Sequence, residues 1–398
     1  MPYAALALAL LVVLPVAWPV PHLGDLFLLW GVGRMTLDGM SPYDRATWQA
    51  MTARYPSEVV DGAVNVIPNM AQLPGVVWPY PPWTAYVFAP FAALPPAVGT
   101  TTLHLAYIGA GIAAAIVLAR LVPGRASTLY ALTLAAFGLF QPFAMDVRSG
   151  QFATFLLLGV ALVTYGIMRD RAGFVIAGAL VLFLKPHLFS LFALVVLVIL
   201  VRRGRWRTIA ATAGILVLVA VATIARQPES LAAMFAGGTD RAGVPDRFAT
   251  TWAVARALFP QGDVTGIGLL LAGATVAAVA VVAVASSRSP ARLRMPVLLS
   301  AALVASLAIS PYVQAYDELV LLPAVFVAIA AVELPARASW RALQLTLAIL
   351  IGVLYPWVAV VLQIATGTQA SSGAIPLLFA ILLASSVLAA SRPLARLE

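Results

Sequence analysis

The chain has 398 residues, of which 62% are hydrophobic and 10% charged, with a formal charge of +9 and no cysteine. A soluble domain carries about a quarter of its residues as charged side chains, so this composition excludes a soluble fold. The missing cysteines exclude disulfides, thiolate nucleophiles and cysteine-ligated metals, and three histidines leave little for a histidine metal site.

Apolar runs of roughly 18 to 25 residues recur from end to end, the mark of a polytopic helical membrane protein. The reading is an all-α transmembrane bundle, a single integral membrane domain over 1–398, with about 11–13 membrane helices including short or re-entrant ones. No soluble run is long enough to form its own core, and no internal repeat is evident. The positive charge does not point to nucleic acid. The arginines sit in short clusters between apolar runs, as cytoplasmic loops do.

In chain order, helices are predicted at 2–20, 101–120, 126–145, 151–168, 173–184, 187–201, 206–225, 264–286, 296–310, 315–334, 340–362 and 372–391. The first has no basic leader and no clear cleavage site, so it reads as a retained helix. The basic clusters are Arg120 with Arg125, Arg169 with Arg171, Arg202 to Arg207, Arg288 to Arg294, Arg337 with Arg341, and Arg392 with Arg396. All face the cytoplasm together if 173–201 crosses twice, breaking near Lys185-Pro186-His187, and if 82–95 is a half-crossing. Loops 21–79, 146–150, 226–262, 311–315 and 363–371 then fall outside. The rival topology makes 173–201 one kinked helix and 82–95 a full span.

The first external loop, 21–79, holds five of the fifteen acids: Asp25, Asp38, Asp44, Glu58 and Asp61. Asp25 follows the first helix directly, in HLGDLFLLW. A carboxylate at that interface depth is costly unless used or paired, which suits a general base; equally, aspartate is a favoured helix cap. Phe27, Trp30 and Arg34 recur at helical spacing, predicting an amphipathic helix over 26–37 along the membrane surface. It is either an interface anchor or a wall of a sugar or lipid site. DGMSPY, with Tyr43, is a turn. Trp78, Tyr80 and Trp83, with Pro81 and Pro82, form a rigid aromatic corner, suited to the membrane interface or to stacking on a ligand.

MDVRSGQF places Asp146, Arg148, Gly150 and Gln151 between two helices, a polar site for an anionic phosphate or a self-paired turn. Lys185 and His187 flank Pro186 inside an apolar run. A lysine there is expensive in lipid and faces an anion or a polar cavity, unless it snorkels to the surface. The second external loop, 226–262, contains the turn-rich GGTDRAGVPDRF and is a lid or a tolerated excursion. SPYVQAYDE puts Tyr312, Gln314, Tyr316, Asp317 and Glu318 at a helix start on the outer face.

These polar groups converge on one face of the bundle. A transferase with a lipid-phosphate donor needs that set: a base for the acceptor hydroxyl, and cations or amides for the leaving phosphate. A lipid-linked sugar flippase or polysaccharide-export transporter would share the cations and aromatics, but usually spreads its polar groups across inverted repeats.

The chain resembles the bacterial polyprenol-phosphate-mannose-dependent mannosyltransferases, glycosyltransferase family 87 of the GT-C superfamily. The resemblance lies in Gly24-Asp25, Gly39-Met40-Ser41-Pro42-Tyr43, Tyr80-Pro81-Pro82, Gly150-Gln151, Lys185-Pro186 and Ser310-Pro311, in that order and spacing. It implies a GT-C fold in the bacterial plasma membrane with the active site on the outer face. It also implies a polyprenyl-phosphate sugar donor, a glycolipid or lipid-linked glycan acceptor, and inverting transfer with no metal and no cofactor. Asp25 maps onto the expected base. Lys185, Arg148 and His187 would meet the donor phosphate. Trp30, Arg34, Tyr43, Tyr80, Trp83, Gln151, Tyr312, Gln314, Tyr316 and Asp317 would shape the substrates. The chain departs from the pattern at Tyr316-Asp317, where some relatives carry a histidine, so a pentose donor such as arabinofuranose stands open beside mannose.

Overall fold

The structure is a computed structural model that describes residues 2–17, 25–55, 78, 80–121, 127–234, 248–332 and 338–391. The described residues are helical, with no strand among them. The expected lid sequence, GGTDRAGVPDRF, lies almost wholly outside the described residues, as do Glu58 and Asp61.

The early elements are α1 (Pro2–Ala17), α2 (Asp25–Leu37), α3 (Arg45–Arg54), α4 (Pro82–Ala92), α5 (Pro96–Leu121), α6 (Ser127–Gly138), α7 (Gln141–Ser149), α8 (Ala153–Arg169) and α9 (Ala172–Leu182). After a 3₁₀ turn at Pro186–Phe189 come α10 (Ser190–Arg202), α11 (Trp206–Arg226), α12 (Thr251–Leu258), α13 (Val264–Ala285) and α14 (Ala291–Ile309). A further 3₁₀ turn at Ala315–Leu321 leads into α15 (Leu322–Ala331), α16 (Ala338–Ile349), α17 (Tyr355–Thr366), α18 (Ala370–Gly373) and α19 (Ile375–Ser391). Five described helices are long and apolar enough to cross a membrane, and α6 with α7 makes a sixth if that pair, bent by 41°, is one span. Shorter apolar helices, among them α8, α9 and α14, complete the bundle.

Prolines place the breaks. Pro142 sits in the first turn of α7, where its missing N–H costs nothing. The expected single helix over 126–145 therefore stops at Gly138 and restarts at Gln141 on a new axis. Pro356 follows the wide turn at Leu350–Leu354 that joins α16 to α17, since a proline ring cannot accept the tight turn before it.

The run 173–201 folds back on itself. Arg203, just past α10, donates to the carbonyl of Ile167 near the end of α8. Arg205 pairs with Asp170 in the α8–α9 turn. One kinked helix over 172–202 would set its ends about 45 Å apart, so these contacts require the two-helix hairpin. Lys185 sits at its tip. Small residues bring α8 and α9 together: a Cβ on Gly178 would lie 2.6 Å from the carbonyl oxygen of Gly159, the close approach that glycine permits between membrane helices.

The helix over 26–37 forms, but it does not lie along a surface with one face wetted. Leu26 to Gly33 and Met35 are all buried. The cause is again close approach, because a Cβ on Gly33 would lie 2.5 Å from the backbone of Phe88 in α4. The segment 82–95 is likewise no span. At 11 residues, α4 is about 16 Å long, and it pairs with α2 at the N-terminal end of α5, where Gly99 meets Phe91 and Trp30.

Gly33→Ala is expected to destabilise the protein by about 1–3 kcal/mol, seen as a lower melting temperature in detergent. Gly109→Ala, where added Cβ meets open space, should be neutral or slightly stabilising, because alanine is the better helix former.

Candidate active site

Asp25 is the first residue of α2 and is half-buried. The side-chain amide of Gln151 donates to its carboxylate. Gly150 makes that contact possible. It ends α7 in the left-handed region, at φ 69°, and a Cβ there would collide with Leu26. Only glycine brings the α7–α8 turn this close to the start of α2.

The other end of the same amide, Oε1 of Gln151, accepts from the Tyr80 phenol at 3.3 Å. Burial pushes that phenol well above its ordinary range, against the opposing field of Lys185, so Tyr80 stays protonated and remains a donor. Tyr43 donates to the Tyr80 carbonyl and fixes the aromatic corner from the other loop.

The Tyr80 ring also faces Lys185. The ammonium lies 5.1 Å from the ring centres of Tyr80, Phe152 and Tyr316, and 2.7 Å from Oδ1 of Asp317. Both members of this ion pair are buried, at 1% and 0% exposure. The 3₁₀ turn holds the acid in place: Oδ2 of Asp317 accepts from the Gln314 amide at 3.0 Å, and Gln369 donates to the Gln314 side chain at 2.8 Å. Asp25, Gln151, Tyr80, Lys185 and Asp317 thus form one connected polar cluster.

Other candidates are placed differently. Asp146 does not pair with Arg148. Its carboxylate caps α8, accepting from the amides of Ala153 and Thr154 at 2.9 and 3.0 Å, so the amides an anion would seek at that helix start are taken. Arg148 is exposed at the last turn of α7. His187 sits edge-on to Tyr312, 5.9 Å between ring centres, with its Nε2 buried and without a hydrogen-bond partner. Trp83 stacks on Phe183 at 4.2 Å and donates to its carbonyl, locking α4 to the hairpin tip. Trp30 donates to Leu94 and stacks on Phe27. Arg34 pairs with Asp38, as does Arg54. These contacts tie α2 to its neighbouring segments, and none joins Trp30 or Arg34 to the cluster.

Residues that the candidates omit also belong here. Phe152 walls Lys185, and Thr84 bonds the Leu184 carbonyl. Glu318 is fully buried with neither oxygen hydrogen-bonded, and the Tyr107 hydroxyl and Thr154 Oγ1 are buried and unmatched as well. Buried polar atoms of this kind call for water or a ligand. Their sequence signal was slight, since Tyr107 and Thr154 each lie in a helix that carries other hydroxyl side chains, Thr100 to Thr102 in α5 and Thr164 in α8. Among the described residues no cluster of metal-ligating side chains occurs.

The cluster has a fixed place along the bundle. It gathers at the start of α8 and the tip of the α9–α10 hairpin. The arginines of the α8–α9 and α10–α11 turns lie at the other end of α8, about 26 Å away.

Residues 78–311 match the family model of glycosyltransferase family 87, more than half of the chain. The chain belongs to glycosyltransferase family 87. Family 87 lies in the GT-C superfamily, and sugar transfer is the activity that membership assigns. The match takes in Tyr80, Trp83, Arg148, Gln151, Lys185 and His187 and stops at Pro311, so Asp25 and Asp317 lie outside it. No curated protein and no solved structure matched.

Two expectations follow for this family 87 cluster. Asp317→Leu alone strands a buried ammonium and should cost about 3–5 kcal/mol, whereas Lys185→Met with Asp317→Leu should recover most of that loss; thermal melts of the two variants beside the parent protein read the difference. Gly150→Ala forces the α7–α8 turn away from α2 and should lower sugar transfer roughly 10²-fold, measured against a fold control by gel filtration.

Proposed function

We propose that the protein moves a sugar, mannose first among candidates, from a polyprenyl-phosphate donor to a hydroxyl of a glycolipid or lipid-linked glycan, with inversion. The observation that carries this reading is the linkage of Asp25, through Gln151 and Tyr80, to Lys185 in one cluster at one end of the bundle.

The acceptor O–H gives its proton to the Asp25 carboxylate. The acceptor oxygen forms a bond to the anomeric carbon as the bond from that carbon to the phosphate oxygen breaks, and polyprenyl phosphate leaves with the electron pair. A single displacement of this kind inverts the anomeric centre. Gln151 aims the carboxylate. Arg148 meets the phosphate from the exposed side. Lys185 has ammonium protons that Asp317 does not take, and His187 has a buried ring nitrogen to offer. The aromatic groups Tyr80, Trp83, Tyr312 and Tyr316 wall off water, which protects an activated donor.

The basic turns at the far end of α8 belong in the cytoplasm by the charge bias of membrane loops. That orientation sets the cluster at the outer face of a bacterial plasma membrane. A flippase or export transporter is less well supported, because among the described residues the buried ion pair Lys185–Asp317 gathers with Asp25, Gln151 and Tyr80 at one end of the bundle.

Asp25→Asn is expected to lower transfer by roughly 10²–10⁴-fold while the protein elutes and melts as before. The assay incubates purified protein with a set of polyprenyl-phosphate sugars and glycolipid acceptors and analyses the products. Transfer retained by Asp25→Asn would remove Asp25 from the role of base. Intact donor recovered on the opposite side of a vesicle, with no sugar released, would point to transport instead.

A further inference from the structure

The stretch 363–371, read from the sequence as an external loop, is pinned to the bundle where it enters α18. The Tyr355 phenol donates to the Ser371 carbonyl at 2.9 Å, and Ser371 Oγ donates to the Ala359 carbonyl at 2.9 Å. On another side, a Cβ on Gly373 would collide with the carbonyl oxygen of Thr250 at the start of α12. The four residues of α18 are thus held between α17 and α12, and Gln369, the residue before them, has a fixed place.

Gln369 joins this segment to the active-site cluster. Its Nε2 donates to Oε1 of Gln314 at 2.8 Å. The Gln314 backbone amide donates to Asp317, the partner of Lys185. Hydrogen bonds therefore lead link by link from α18 to the ammonium.

With Nε2 engaged, the open end of the Gln369 amide is Oε1, which is buried and has no hydrogen-bond partner. Ser372 Oγ, three residues on, is buried and unmatched too, as are both oxygens of Glu318 in the 3₁₀ turn. Tyr355 lies in the field of Glu318 and bonds Ser371, so the turn and α18 flank the same phenol. Oxygens of this kind lack protons to accept. A phosphate diester anion brings none and would be repelled. A sugar brings several O–H groups at fixed spacing. The two sides of Asp317 thus suit the two parts of a glycosyl phosphate, the ammonium side an anion and the oxygen side a neutral polyol.

We infer that Gln369, with Ser372 and Glu318, accepts hydrogen bonds from the hydroxyls of a sugar and is a specificity-determining residue of this transferase. The inference deepens the proposed function and rests on it for the ligand class, but it concerns binding and needs no transfer. A site built to bond a hydroxyl rejects the analogue that lacks it, because its buried oxygen is then left unpaired.

The test measures binding to the full chain in nanodiscs. The ligands are polyprenyl-phosphate mannose, polyprenyl-phosphate arabinofuranose, analogues of each lacking one hydroxyl, and polyprenyl phosphate with no sugar. Loss of one particular hydroxyl should weaken binding to the parent protein about tenfold. Gln369→Met should bind the intact sugar about tenfold more weakly, and loss of that same hydroxyl should then cost nothing further. The sugarless lipid should bind both proteins alike. Gln369→Ala takes the place of the methionine variant if the latter does not fold. A parallel series of alkyl mannosides lacking single hydroxyls separates the sources: coupling in the first series assigns the subsite to the donor sugar, coupling in the second to the acceptor sugar. No sensitive hydroxyl in either series would overturn the inference, as would equal penalties in parent and variant. Equal weakening of the sugarless lipid would overturn it as well, by marking a purely structural role. An all-oxygen set also suits a hard cation, so a melting temperature raised by sodium or calcium ions in the parent and not in the variant would overturn it too. Coupling without sugar transfer would leave the subsite standing and sink the proposed reaction, and transfer without coupling would do the reverse.

Discussion

A lysine and an aspartate buried together in an apolar bundle set the terms for everything near them. Lys185 and Asp317 are 132 residues apart in sequence and 2.7 Å apart in space. Neither charge survives alone at that depth. The pair therefore dictates that the α9–α10 hairpin tip and the turn before α15 meet, with little freedom in how. Three aromatic rings close over the ammonium and give it partial solvation by their faces. Those rings come from the α7–α8 turn, from the loop before α4, and from the 3₁₀ turn. The one ion pair thus fixes four separate stretches of chain around a single point.

Placement at one end of the bundle follows from helix length. The helices α8, α9 and α10 are short, and two of their junctions carry either arginines or the cluster, never both. A chain of this hydropathy has few sites where polar groups can be kept, because every exposed backbone and side-chain dipole in lipid is costly. Turns at helix ends are such sites. Gly150 and Pro186 make two of them sharp enough to point inward, so that polar residues which would otherwise sit in separate loops become neighbours.

Much of this was legible from the residues. Asp25 stands out straight after the first helix, Gln151 in the polar junction between two helices and Lys185 inside an apolar run, and the break at Pro186 marks the hairpin. What pairs with what was not legible. Asp146 beside Arg148 reads as an ion pair, but the free amides at the start of α8 are nearer and already oriented. The periodicity of Phe27, Trp30 and Arg34 reads as a surface helix. Gly31 and Gly33, two residues with no side chain to hold neighbours off, let α2 sink in until almost its whole circumference is covered. Spacing along one helix says nothing about how closely a second backbone can approach, and in a protein packed through glycines that distance decides burial.

The separation between Asp25 and Lys185 has its own logic under the proposed chemistry. A base must keep a lone pair available, and a cation bonded directly to it would hold that pair. Here Asp25 receives a neutral amide proton from Gln151, whose other end is tied to a neutral phenol, and only beyond that phenol does the ammonium begin. Asp317 balances the ammonium from the far side. Two uncharged groups, the Gln151 amide and the Tyr80 phenol, therefore stand between the carboxylate and the ammonium. Exchanging Gln151 for a lysine or arginine would keep the hydrogen bond and lose this insulation, which is why the amide, not merely a donor, belongs at that position.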